Sequence, residues 1–97
     1  MAKYVILLNW TDQGIKTATD SVQRADQARQ LAESLGGHVD LLLWTVGRYD
    51  IVGVFDMPND EALTTLALKV GAAGAVRTES LRAFTAEELG GILANLS

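Results

Sequence analysis

The hydrophobic residues of this chain follow strand-like and helix-like periods in a regular succession. Apolar residues alternate or run together in four segments that predict β-strands: residues 4–10, 38–46, 50–57 and 76–84. Apolar residues recur at helical spacing over residues 21–35, and again after Pro58, which predicts two helices. Thr85 and Glu88 form a Thr-x-x-Glu capping box, so a last helix is predicted from Thr85. The predicted order is β-α-β-β-α-β followed by a C-terminal helix.

Capping residues set the predicted bounds of the helices. Asp20 is the expected N-cap of the first helix, whose apolar stripe starts at Val22. Gly36 suits the left-handed position that closes this helix. The second helix is expected to begin from Asn59 or Asp60 as its cap. The other connections are predicted as turns: residues 11–14, 47–49 and 71–74.

The first three predicted strands are apolar on both faces. In the first strand, alternation places Tyr4, Ile6, Leu8 and Trp10 on one face and Val5, Leu7 and Asn9 on the other. In the second strand, the two faces carry Val39, Leu41 and Leu43 and, opposite them, Leu42, Trp44 and Val46. In the third strand, they carry Ile51, Gly53, Phe55 and Met57 and, opposite them, Val52 and Val54. Two right-handed crossovers place both helices on one face of a four-stranded antiparallel sheet, so the other face needs a cover. A second copy of the chain is the simplest cover.

The pattern therefore predicts an α+β, ferredoxin-like domain that forms a homodimer or a higher even oligomer. The fourth strand is the most polar of the four, which is typical of an edge strand or of one that lines a cavity. Gly53, in the middle of the third strand, predicts the close approach of a helix or a bulky neighbour.

Composition and charge narrow the classes of partner. The 97 residues suit one domain, 1–97. The formal net charge is −4 and no run of Lys or Arg occurs, which argues against a nucleic-acid partner. The lack of cysteine excludes disulfides and thiolate sites and fits a reducing cytoplasm. The apolar N-terminal segment is too short to span a membrane and has no cleavage site, so we expect a cytoplasmic protein without a membrane partner.

The predicted hairpin carries Gly47-Arg48-Tyr49-Asp50 between two apolar strands, and this segment resembles the signature of the GYD domain family. Similar segments occur along nearly the whole chain: 11–16, Arg24, 35–37, 74–78 and 81–85. Arg48 differs from the acidic residue expected in many relatives. The resemblance implies a dimeric α+β barrel, in which two ferredoxin-like sheets pack face to face with the helices outside. It implies no particular activity, because fold relatives include small monooxygenases, isomerases, haem-handling proteins and ligand-sensing domains.

The hairpin motif supplies the first candidate site. In the interpretation that we favour, Gly47 has a positive φ and Asp50 accepts hydrogen bonds from turn amides. In the functional alternative, Tyr49 is a proton donor and Asp50 a base at a pocket mouth. Lys16 and Arg77 supply the second, since both follow glycine-containing connections and would converge on an anion if the first and fourth strands were neighbours; otherwise they are surface cations.

Trp44 is a further candidate, as a stacking surface for a ligand or as a core or interface anchor. The candidate catalytic residues are Tyr49, Asp50 and Lys16, and the candidate ligand-binding residues are Lys16, Tyr49, Asp50, Arg77 and Trp44. His38 is the one histidine, so the sequence predicts neither a metal site nor a cofactor; an axial haem ligand has no local support.

Three functions remain open from the sequence. The first is a homo-oligomeric small-molecule-binding or regulatory module for a partly apolar or anionic ligand. The second is a small enzyme of the isomerase or cofactor-independent monooxygenase type, with Tyr49, Asp50 and Lys16 nearest the chemistry. The third is a structural assembly protein without a ligand.

Overall fold

The computed structural model describes residues 1–96 and is built around one four-stranded sheet. The strands are β1 (Ala2–Trp10), β2 (His38–Trp44), β3 (Ile51–Met57) and β4 (Val76–Ala83). The helices are α1 (Asp12–Lys16), α2 (Ser21–Ser34), α3 (Asp60–Ala72) and α4 (Ala86–Leu93), with 3-10 turns at Ala18–Asp20 and Ala94–Leu96.

The strand order confirms the predicted ferredoxin-like fold. The order is β2-β3-β1-β4, and each neighbouring pair is antiparallel. Val5 of β1 lies opposite Val54 of β3 on one side and Leu81 of β4 on the other. β4 is therefore an edge strand, as its polarity predicts.

The core lies between α2, α3 and the face of the sheet that they cover, which we call the inner face. Its buried residues are Tyr4, Ile6, Ala32, Phe55, Met57, Leu63 and Leu66. The strand residues among them are Tyr4, Ile6, Phe55 and Met57, which belong to one predicted face of β1 and one of β3, and Leu8 of the same β1 face packs against them while partly buried. Gly53 also lies on this face, where an added Cβ would be 2.5 Å from the Phe55 ring and 2.9 Å from Leu42 Cδ1. The predicted close approach at Gly53 is confirmed, and its neighbours are side chains of the sheet.

The predicted face of Val39 is wrong, because a β-bulge interrupts β2. The register shifts between Val39 and Leu41, so that Val39 lies opposite Phe55 and packs on the core. The residue inserted at the bulge reverses the alternation, which a strict period of two cannot anticipate. The predicted second strand includes Val46, but β2 ends at Trp44 and Val46 is fully exposed in the hairpin loop.

The start of the helical layer also differs from prediction. Residues 11–14 form the start of α1 rather than a turn, with the Thr11 hydroxyl accepting from the Gly14 amide at 3.1 Å. Asp20 makes no side-chain capping hydrogen bond, because it ends the preceding 3-10 turn and its backbone, with φ −92° and ψ 1°, lacks the extended conformation of a capping residue. Val22 is 66% exposed and is not part of the buried stripe of α2.

The other helix ends follow the expected chemistry. Gly36 closes α2 at a φ of 88°, and Asn59 caps α3 by accepting from the Ala62 amide at 2.9 Å. The Thr85–Glu88 capping box is present. Because Glu88 accepts from the Thr85 amide, its pKa is lowered from the ordinary value. The end of α3 lies later than predicted, since the helix continues through Gly71 to Ala72.

Two apolar surfaces lack a cover within residues 1–96. The outer face of the sheet, opposite α2 and α3, carries Val5, Leu7, Leu41, Leu43, Val52, Val54 and Leu81. None of α4 is buried, and its apolar residues are exposed: Leu89, Ile92 and Leu93. The radius of gyration is 14.6 Å, whereas a compact 97-residue domain would have about 12.5 Å. Among the described residues, no helix is long and apolar enough to cross a membrane.

Candidate functional site

A cavity of about 250 Å³ lies between the inner face of the sheet and the helices α2 and α3, and we call it the inner cavity. The sheet contributes mostly buried apolar side chains: Ile6, Leu8, Val39, Leu42, Ile51, Phe55 and Val76. The helices contribute Ala25, Ala28 and Leu31 from α2 and Leu66, Ala67 and Val70 from α3. The volume exceeds the roughly 150 Å³ of a cavity that accepts benzene and is just below the usual range for drug-sized ligands.

Alanines in the helical wall explain why this space stays open. Ala25 and Ala28 line the cavity from α2, and Ala67 and Ala73 line it from α3 and its C-cap. A methyl group extends far less toward the sheet than leucine or isoleucine would. The helices therefore cover the inner face without filling the gap beneath them.

Three cationic residues and no carboxylate line the inner cavity. These are Arg24 and Arg29 on α2 and Lys69 on α3. None of the three has a carboxylate within salt-bridge distance among residues 1–96, where the ion pairs all involve Lys3 or His38. In a chain with a net charge of −4, this wall is locally positive.

Arg24 is the one of these cations that is held by neutral acceptors. Its guanidinium donates to the Thr17 carbonyl at 2.9 Å, to the Thr17 hydroxyl at 3.0 Å and to the Gly14 carbonyl at 3.2 Å. These carbonyls lie at the C-terminal end of α1, where backbone carbonyls lack partners within the helix, and a cationic side chain can donate hydrogen bonds to them. Arg24 thereby fixes α1 to α2 and keeps its positive charge beside the cavity.

A buried hydroxyl lies at another part of the cavity wall. Ser21 is 6% exposed, lines the cavity and accepts from the Trp44 indole nitrogen at 2.8 Å. Trp44, a predicted ligand-binding residue, does not line the cavity; the structure instead uses it to position Ser21. Trp10 has its indole nitrogen buried without a hydrogen-bond partner in the described part of the chain.

The hairpin motif is held mainly by backbone contacts. The Asp50 carboxylate accepts from the Trp10 amide at 2.9 Å, and the Asp50 amide donates to the Leu8 carbonyl at 3.0 Å. The Thr45 hydroxyl donates to the Tyr49 carbonyl at 2.6 Å. Gly47 has a φ of 145°, the positive value predicted for it. Asp50 thus accepts from a backbone amide, as the structural interpretation predicts, but that amide belongs to the end of β1 and not to the turn.

A second, shallower hollow of about 210 Å³ lies on the outer face of the sheet. It brings together two predicted ligand-binding residues, Tyr49 and Arg77, beside Asn9 and Glu79. The Tyr49 hydroxyl donates to Glu79 at 3.2 Å. Lys16 is exposed at the end of α1 and lines neither this hollow nor the inner cavity. The structure therefore does not bring Lys16 and Arg77 together in a described cavity.

A compact charged cluster occupies the far end of the outer face. Lys3 lies 2.6 Å from Asp40 and 3.1 Å from Asp56, and His38 Nε2 is 2.9 and 3.1 Å from the same two carboxylates. The hydrogen bonds with Asp40 and Asp56 raise the pKa of Lys3, and the bond with Lys3 lowers the pKa of Asp40. His38, Asp40 and Asp56 have the spacing of metal ligands. Lys3 already supplies positive charge to both carboxylates, so no metal need be invoked.

Sequence reasoning did not identify Arg29 and Lys69 as site residues. Each looks like an isolated surface cation in the sequence, and only the packing of α2 against α3 places both on one cavity. A usable signal was present in the alanines of the predicted helical stripes, because a stripe of small residues underfills a sheet–helix layer. Chemically, the arrangement suits binding: an apolar interior, one buried hydroxyl and positive charge in the wall.

Comparison with known proteins is consistent with this fold. The sequence matches the family model of the GYD domain over residues 4–93. No functionally curated protein matches the chain. Among solved structures, the crystal structure of TTHA0845 from Thermus thermophilus is similar, with a TM-score of 0.57 and 22% sequence identity over 89% of this chain and 96% of that chain. At this identity the similarity shows the fold alone.

Proposed function

This chain belongs to the GYD domain family, which it matches over residues 4–93, and we propose that it is a small-molecule-binding protein. The ligand has a largely apolar body and occupies the inner cavity, between the sheet and the helices α2 and α3. The absence of cysteine fits a reducing compartment, so the proposal places this function in the cytoplasm.

The inner cavity is the observation that carries the proposal. An empty cavity of about 250 Å³ would cost at most about 6 kcal/mol, at ~24 cal/mol per Å³. The whole stability of a small domain is only about 5–15 kcal/mol. Single alanine-to-leucine changes would fill part of this space, yet the helices present alanines there. A ligand that occupies the space offsets the cost and gives the alanines a role.

A titration followed by amide chemical shifts tests the site. The ¹⁵N-labelled protein is titrated with 1-octanol and with octanoate, which share an eight-carbon chain. We expect shifts to concentrate on α2, α3 and the inner-face residues of the sheet, such as Phe55. Shifts confined to the outer hollow around Tyr49 and Arg77, or no shifts with either compound, would overturn the proposal.

We also propose that a second copy of the chain covers the outer face of the sheet. Four strands about 4.8 Å apart and about seven residues long cover roughly 440 Å². Two such faces bury roughly 900 Å² together, below the ~1,200 Å² of a standard interface. An 11-residue helical segment from Ala86 to Leu96 offers roughly 160 Å² more. Each of the two segments buries this area and an equal area on the partner, which raises the total buried area to roughly 1,500 Å². This total is within the range of a standard interface, so the proposed interface includes α4.

Sedimentation equilibrium of matched lysine variants tests this assembly. Val54 lies at the centre of the outer face, between Val5 of β1 and Leu41 of β2. Val54→Lys should yield a folded monomer, because an interface cannot bury an unpaired ammonium group. Val22→Lys makes the same change at an exposed site of α2 and should leave the dimer intact. A wild-type monomer at micromolar concentration would overturn the assembly and leave the binding proposal standing.

A further inference from the structure

We infer that the ligand of the inner cavity is an amphiphilic anion, whose charged group is neutralised by Arg29 and Lys69. This inference rests on the proposed function, because it names the chemical class of ligand for the same cavity. The shared chemistry is an apolar chain or ring that ends in a carboxylate, phosphate or sulfate. The inference concerns selectivity, so a cavity that takes only neutral molecules would refute it without refuting the binding function.

The wall of the inner cavity is positively charged. The lining includes Arg24, Arg29 and Lys69 but no aspartate or glutamate. The chain as a whole has 12 acidic and 8 basic residues, so a wall with cations alone runs against the composition. An apolar ligand without charge would gain nothing from this arrangement, whereas an anion would be favoured by every cation in the wall.

The three cations of the wall differ in whether their side chains already have partners. Arg24 donates its hydrogen bonds to Thr17 and Gly14, so its position is fixed by α1. The side chains of Arg29 and Lys69 have no ion-pair, hydrogen-bond or cation–π partner among residues 1–96. Arg29 is half-buried and Lys69 is exposed, so they belong to the outer part of a lining whose buried part is apolar. These two side chains are therefore free to bind the charged end of the ligand.

The lining has a buried apolar part and an outer charged part, and this division sets the orientation of the ligand. Ile51, Phe55 and Leu66 are buried and accept the apolar body. The charged group stays with Arg29 and Lys69 toward solvent, where burial does not strip it of water completely. An amphiphile in this orientation places its apolar body against the buried residues and its charged group beside the cations. A wholly polar or wholly apolar molecule would match only one of these two parts of the lining.

Calorimetric titration with two probes of equal chain length tests the inference. Octanoate is expected to bind wild-type protein at least tenfold more tightly than 1-octanol. The double variant Arg29→Gln with Lys69→Gln should lose about 10- to 100-fold in octanoate affinity, the range for charge-assisted hydrogen bonds, and keep its octanol affinity. Raising the salt concentration should weaken octanoate binding and leave octanol binding unchanged. Retained octanol binding also shows that the variant is folded.

A matched variant separates the local effect from that of total charge. Arg48→Gln with Arg82→Gln removes two positive charges from exposed side chains that line neither the inner cavity nor the outer hollow, which lowers the formal net charge from −4 to −6, as in the first double variant. It should bind octanoate as wild-type protein does. An equal loss of affinity in both double variants would overturn the inference, since net charge alone would then explain the result.

The remaining outcomes are also decisive. Equal affinity of wild-type protein for octanoate and octanol would overturn the anion selectivity and support the binding proposal. Binding of neither probe would overturn both. Octyl phosphate distinguishes the possible charged groups: tighter binding than octanoate would assign a phosphate ester, and weaker binding a carboxylate, each within the inferred class.

Discussion

Replacing Ala28 by leucine should close the inner cavity and abolish ligand binding without unfolding the protein. Ala28 lines the cavity from α2, opposite inner-face residues of the sheet such as Phe55. Leucine carries three more carbon atoms, and each buried methylene contributes about 0.8 kcal/mol, so full burial would stabilise the fold by roughly 2 kcal/mol. In a domain of about 60–100 residues, each kcal/mol raises the melting temperature by roughly 4–8 °C.

The assay combines thermal unfolding with calorimetric titration of octanoate. We expect Ala28→Leu to melt at a temperature equal to or higher than that of wild-type protein and to lose measurable octanoate binding. Ala72→Leu is the control, because it adds the same carbons at an exposed position near the end of α3 that does not line the cavity. Its stability should stay within about 0.5 kcal/mol of wild type, with binding unchanged.

Two results would refute the reasoning about the cavity. A loss of about 3 kcal/mol or more in Ala28→Leu would mean that leucine is overpacked and that no free space lies beneath α2. Unchanged octanoate affinity in a stable Ala28→Leu protein would place the binding site elsewhere. The shallow hollow that contains Tyr49 and Arg77 would then be the next site to examine.

Three further predictions concern the hairpin motif and the core. Asp50→Ala should destabilise the protein by about 1–3 kcal/mol in denaturant unfolding, because it leaves the amide at the end of β1 unpaired; a neutral result would contradict the structural role. Tyr49→Phe removes one exposed hydrogen bond to Glu79 and should change neither octanoate binding nor, beyond about 0.5 kcal/mol, stability; lost binding would reinstate the phenol as a site residue. The hydrogen bond to Asp60, together with burial, raises the pKa of Tyr4, so the folded state holds the phenol proton more tightly than the unfolded state does. The resulting contribution to the free energy of unfolding is fully present below about pH 10 and declines as the pH rises through the folded pKa. Tyr4→Phe should remove this alkaline decline in denaturant unfolding curves, and an identical decline in the variant would assign it to other groups.

Local patterns in the sequence determined the elements, most helix ends and the two-sided apolar strands. The faces of β1 and β3 follow from alternation, because a side chain in a strand points to one side or the other whatever lies beyond it. The caps at Asn59 and Thr85 follow from side chains that reach amides within three residues. Such features depend on near neighbours in the chain, and for this reason the sequence specifies them.

Tertiary packing decided the exceptions to these patterns. The bulge that moves Val39 to the inner face arises from the pairing of β2 with β3, and the lack of a cap at Asp20 arises from the turn that precedes it. The carboxylate of Asp50 is occupied by a strand distant in the sequence, which no local pattern indicates.

The candidate site depends on packing most of all. The alanines of α2 and α3 are visible in the sequence, but the space that they leave exists only once both helices rest on the sheet. Arg29 and Lys69 line one cavity because α2 and α3 pack side by side on the sheet, whereas Lys16 and Arg77, which the sequence paired, share no described cavity. A cavity is set by distances between elements, and those distances follow from the sum of all side-chain contacts in the layer rather than from the spacing of any few residues.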